Sequence, residues 1–183
     1  MLGIIVSVSL LLFWILVVYL SKRRLYIILV GVGIGIAGVF SLAGAVEYNW
    51  CQITGISLTE YQSKTVLAPV VEELSKFLFI FSVSWYAYHK RNPFATELFG
   101  ASVGLGFAFI ENFSVAADPL SAFFRGFLSW ATHMVTALFL SYGVRRLLGS
   151  KSKRNAFCVI ILLIAAMGIH SLFNHIVLSL GFH

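Results

Sequence analysis

The sequence predicts an all-α, polytopic membrane bundle of about six transmembrane helices, with a polar layer supplied by the last four. Three observations predict it. The 183-residue chain is 60% hydrophobic and only 11% charged, with a mean hydropathy of +0.94, a balance foreign to soluble domains. The apolar residues come in runs of about 20, the length a helix needs to cross a bilayer. The basic residues sit in short clusters between those runs, where the positive-inside rule places them. A net charge of +6 and a pI near 9.6 would otherwise suggest a nucleic-acid partner. That class is excluded, because no soluble domain is visible to carry a basic face.

The whole chain, 1–183, reads as one integral membrane domain. The first span covers 2–20 and is followed by Lys22-Arg23-Arg24. It has no basic stretch before it and is too long for a cleaved signal peptide, so it reads as a retained helix. The second span covers 25–45. Glu47 to Lys64 reads as a polar loop whose Tyr48, Trp50 and Tyr61 suit an interfacial aromatic belt. The third span, 65–88, opens on Pro69 and carries Glu72, Glu73 and Lys76. His89-Lys90-Arg91-Asn92-Pro93 ends it. The fourth, 96–117, contains Glu111 and Asn112, and Asp118-Pro119 turns the chain. The fifth, 122–142, contains Arg125 and His133. Arg145, Arg146, Lys151, Lys153 and Arg154 form the next loop, and the sixth span, 156–180, holds His170, Asn174 and His175.

The loops after spans one, three and five carry ten of the thirteen Lys and Arg residues. That asymmetry predicts both termini outside the cytosol and three basic loops inside. It also puts Cys51 and Cys158 on opposite sides of the membrane, where they cannot pair. At about 1.5 Å per residue, Glu72, Glu111, His133 and His170 then lie roughly 9 to 17 Å below the outer surface. Four polar groups on four helices are thus expected in one layer of the outer leaflet.

Several motifs carry no chemistry. Gly33-Ile34-Gly35-Ile36-Ala37-Gly38 spells GxGxxG, but a dinucleotide site needs that motif between a strand and a helix. Inside a span it predicts close helix packing, as does the stripe Gly100, Gly104 and Gly106. Asp118 is the only aspartate, so a two-aspartate protease is impossible, and no HExxH occurs.

Charged groups in a span cost at least about 2.5 kcal/mol each. Glu72 and Glu73 are about 100° apart on a helix, so one is expected to do chemistry while the other makes a structural contact. Lys76, one turn along, can pair with Glu72. His170 and Asn174 share a face, so the amide can orient the imidazole or donate to an oxyanion. His175 reads as interfacial. Arg125 reads as a snorkelling or glutamate-paired residue. Glutamate with histidine can activate water and then protonate a leaving amine. Glu111, His133 and His170 can instead hold Zn²⁺ with an open position for water. A proton-coupled transporter uses similar residues, and a helix-packing scaffold is the third class.

Glu72-Glu73-x-x-Lys76, Gly104-x-Gly106-Phe107-Ala108-x-x-Glu111-Asn112, Arg125 with His133 eight residues on, and His170-x-x-x-Asn174 together resemble the PrsW family of intramembrane proteases. That family is related to the CAAX prenyl endopeptidases and bacterial immunity-type proteins. The resemblance covers about Pro69 to His175. It implies a prokaryotic membrane peptidase with a membrane-anchored protein or peptide substrate, in the manner of site-1 cleavage of an anti-sigma factor. It implies Glu72 as base beside Glu73, and His170 with Asn174 on the oxyanion side. Lys76, Asn112 and Arg125 support them. Glu111 stands where the CAAX-type relatives have histidine, and His133 can supply that imidazole.

Overall fold

The computed structural model describes residues 25–57, 61–89, 95–114, 119–150 and 152–181, without the side chains of 113, 114 and 119–125. The expected first span, 2–20, lies outside the described residues. Among the described residues every regular element is a helix. We label them α1 (Leu25–Thr54, with a π-helical segment at Ile34–Val39), α2 (Ala68–His89), α3 (Thr96–Ser114), α4 (Pro119–Gly149) and α5 (Lys153–Ser179).

Among the described residues, three stretches are long and apolar enough to cross a membrane: Leu25–Thr54, Gly126–Gly149 and Lys153–Ser179. Helices α2 and α3 fall short of that apolarity. They carry Glu72, Glu73 and Lys76 in one, and Glu97 and Glu111 in the other.

Two boundaries differ from expectation. The second span does not stop near residue 45. Helix α1 runs on through Glu47, Tyr48 and Trp50 to Thr54, where Gly55 takes a left-handed conformation and its N–H closes on the Cys51 carbonyl at 2.9 Å. An i→i+4 ladder needs no apolar side chains, so polarity alone does not mark a helix end. Likewise Arg145 and Arg146 stand on the last turns of α4 rather than in a loop. The chain turns just after Gly149. Ser152 caps α5 by accepting from the Asn155 N–H at 3.2 Å, and the Asn155 amide donates to the Arg146 and Ser150 carbonyls.

Glycine sets how closely the helices approach. A Cβ at Gly35 would overlap the Val103 carbonyl, and one at Gly106 would overlap the Val32 backbone, so α1 and α3 pack backbone to backbone. On its other face, α3 meets α4 through Gly104, where a Cβ would overlap the His133 carbonyl. The GxGxxG stretch is therefore packing surface. Ile27, Val39, Ile80, Phe99, Val103, Leu140 and Val144 form the core between these helices. Phe157, Ile160, Ile161, Ile164, Leu172 and Ile176 of α5 face outward, as lipid-facing side chains do. Cys51 and Cys158 are free thiols.

Candidate active site

Helices α2, α3, α4 and α5 each send side chains into one connected polar cluster. At its centre is Glu73, which is fully buried. Glu73 Oε1 accepts from Lys76 Nζ at 2.6 Å and from His170 Nδ1 at 2.8 Å, and the Thr136 hydroxyl lies 3.2 Å away. Lys76 therefore pairs with Glu73 at i,i+3, not with Glu72 as the sequence suggested. Both spacings put neighbours on a helix surface; the position of His170 and Thr136 across the interface decides between them.

Lys76 Nζ also lies 2.7 Å from His133 Nδ1. An ammonium has only donors, so Nδ1 must accept. The neutral ring then carries its proton on Nε2 and donates to Glu111 Oε2, 2.7 Å away. Glu111 Oε2 also accepts from Ser129 Oγ at 3.1 Å. The Phe107 ring packs edge-on against His133 at 4.9 Å and lies 4.9 Å below the Lys76 ammonium, so it covers this end of the chain of bonds.

The other end is unfinished. His170 donates through Nδ1 to Glu73, which leaves its Nε2 lone pair facing Glu72. His170 Nε2 and Glu72 Oε2 are 3.6 Å apart, and both, like Glu73 Oε2, are buried with no hydrogen-bond partner among the described residues. Both glutamates thus reach the same ring. Two carboxylates about 100° apart on one helix meet the two nitrogens of one imidazole, because the ring spans the angle between them.

Other expected residues fall elsewhere. The Asn174 amide donates to the Lys64 carbonyl at 2.8 Å. The Asn112 amide reaches the Gly126 carbonyl at 3.4 Å and so joins α3 to α4. His175 bonds Tyr61 at an exposed position, in keeping with an interfacial role. The Arg125 side chain lies outside the described residues.

Four contributors were not anticipated. Ser129 and Thr136 flank His133 at i−4 and i+3, a polar stripe on an apolar helix that the sequence does display. Ser171 donates to the Thr65 carbonyl. Glu47, assigned to a loop, stands on α1 within electrostatic reach of Glu111 and Glu72. Phe40 of α1 packs on Phe107 at 6.2 Å; Glu47 lies two turns beyond Phe40, and Glu111 one turn beyond Phe107.

The family model of the PrsW family intramembrane metalloprotease matches residues 21–182. The chain belongs to that family. No curated protein and no solved structure matches it. As a PrsW family member with apolar membrane-length helices, it is an integral membrane hydrolase, an intramembrane protease.

The family's description implies a metal. Two ligands on one tetrahedral zinc, each at about 2.0–2.2 Å, stand about 3.3–3.6 Å from each other. The unpartnered Glu72 Oε2 and His170 Nε2, 3.6 Å apart, fit such an ion. Glu73 behind His170 is the carboxylate that such sites place on a ligand's far nitrogen. Ligand atoms of Glu72, His133 and His170 all lie within 4.8 Å of one another. Glu72 thus joins the histidines where the sequence suggested Glu111, whose carboxylate is turned to His133 Nε2. His133 itself has both nitrogens engaged, so it joins a metal only if Lys76 or Glu111 lets go.

Proposed function

We propose that this protease hydrolyses a peptide bond of a membrane-anchored protein near the outer leaflet. Six helices span the membrane, with both termini outside and the basic loops in the cytosol. The charge asymmetry supports this topology, with ten of thirteen Lys and Arg after the odd-numbered spans. Family resemblance favours site-1-type cleavage, with an anti-sigma factor as the class of substrate.

The observation that carries the reading is the buried Glu72–His170 pair, 3.6 Å apart and without other partners among the described residues. Buried polar atoms are nearly always bonded, so an open pair marks where something else binds or reacts. Glu72 takes a proton from water as the water oxygen bonds the scissile carbonyl carbon. Glu72 then returns that proton to the amide nitrogen as the C–N bond breaks, leaving a carboxylic acid and an amine. Glu73 holds the His170 ring in the tautomer that presents Nε2 to the site. A Zn²⁺ held by Glu72 and His170 would instead supply Lewis acidity and make water nucleophilic at neutral pH, with Glu72 then a ligand rather than the base.

The test is cleavage of a membrane-anchored reporter in proteoliposomes. Glu72→Gln keeps size and hydrogen-bonding capacity but removes the base, so cleavage should fall about 100- to 10,000-fold. Wild-type rates in Glu72→Gln would overturn the assignment.

A further inference from the structure

The turn leading into the two glutamates is not ordinary α-helix. Ser63–Leu67 is a single π-turn, in which the Ala68 N–H reaches back five residues to the Ser63 carbonyl. In an α register that N–H would bond the Lys64 carbonyl. The next N–H in line would belong to residue 69, which is proline and has none. Pro69 equally deprives the Thr65 carbonyl of its α-helical donor. Two consecutive carbonyls are thus released from the ladder, and buried backbone acceptors must find partners.

Helix α5 supplies both. Asn174 Nδ2 donates to the Lys64 carbonyl at 2.8 Å, and Ser171 Oγ donates to the Thr65 carbonyl. Ser171 directly follows His170, and Asn174 lies one turn further on. One stretch of α5 therefore presents the imidazole and grips the turn that feeds Glu72 and Glu73. We propose that Ser171 and Asn174 are positioning residues, which clamp the Pro69 π-turn and hold both glutamates in register with His170. The proposal rests on the protease reading above. Slipping α2 by one residue would rotate it about 100° and shift it about 1.5 Å. That would take Glu73 off His170 Nδ1.

The test uses the full chain in proteoliposomes. Ser171→Ala and Asn174→Ala should each lower kcat about tenfold or more through misplacement of the reacting groups, with KM within about twofold. Because the two bonds hold one turn, the double variant should fall well short of the product of the singles. Ser171→Thr keeps the hydroxyl and should restore kcat. Hydrogen exchange at the amides of 66–73 should rise in the alanine variants, whatever the cleavage rate. If Asn174 is instead an independent oxyanion donor, the two losses multiply and exchange stays at the wild-type level. That result, or wild-type kcat in both singles, overturns the clamp. Wild-type protein that cleaves nothing overturns the protease reading, and exchange then still decides the clamp.

Discussion

The two ends of the buried polar cluster are built from the same residue types and behave differently. From Glu73 through Lys76 and His133 to Glu111, each link is a bond of 2.6–2.7 Å and each imidazole nitrogen is occupied. From Glu73 through His170 to Glu72 the chain ends in two atoms 3.6 Å apart that have no partner among the described residues. One imidazole is locked by a cation on one side and a carboxylate on the other. The other imidazole is oriented by a carboxylate and left with a free lone pair. The difference teaches that charge in a membrane helix does not by itself mark chemistry. The saturated arm holds helices together, and the open arm has capacity left to bind or react.

That contrast can be broken from either side. The largest effect is expected at the open arm. His170→Ala removes the free nitrogen and the Glu73 contact together, and should lower kcat/KM at least about 1,000-fold while the protein stays folded. Wild-type-like cleavage by this variant would dissolve the distinction. In the saturated arm, Lys76→Met leaves Glu73 buried without its cation. It should lose about 3–5 kcal/mol of stability in denaturant titration. The double variant Glu73→Gln/Lys76→Met should regain much of that, and failure to do so would mean Lys76 acts through packing instead.

Smaller effects sharpen the picture. Glu73→Gln alone tests second-sphere support of His170, and should weaken zinc binding in a metal-competition titration by about 10- to 100-fold. An unchanged affinity would place any metal away from His170. Glu111 acts in this arrangement as an acceptor for the His133 N–H. Glu111→Gln, which keeps an acceptor, should therefore lose under about tenfold in activity, while Glu111→Ala should lose about 1–3 kcal/mol for the orphaned donor. Equal losses in both would show that the charge itself is needed. At Gly104, alanine pushes into the His133 carbonyl and should destabilise the fold by about 1–3 kcal/mol.

Much of this could be read from the order of residues. Glu72, Glu73, Lys76, Glu111, His133 and His170 stand out because a polar side chain in an apolar run is conspicuous, and all six join the observed cluster. The glycine stripes were readable for the same reason, since a missing side chain in a span usually meets another backbone. Partner choice was not readable. Lys76 lies within reach of Glu72 and Glu73 alike, and helical angle cannot predict that both glutamates meet one imidazole ring. Asn174 shares a helix face with His170, yet its partner is a carbonyl 110 residues away, released by Pro69 and the π-turn. The extent of α1 is not legible in the sequence because helix hydrogen bonding continues through polar residues, and neither, therefore, is the place of Glu47.

By itself, then, the sequence determined an all-helical membrane protein, its family motifs and the set of polar side chains that apolar surroundings force together. Their composition and spacing follow from hydrophobicity and helix period, which are local properties. The tertiary structure decided which of those groups bond to one another, and hence that Glu72 Oε2, His170 Nε2 and Glu73 Oε2 stay open among the described residues while Glu73 Oε1, Lys76, His133 and Glu111 close into a chain. Hydrogen bonds of 2.7–2.8 Å across helix interfaces depend on helix register and rotation, which are set only when glycine contacts, the π-turn and the clamp from α5 are all in place.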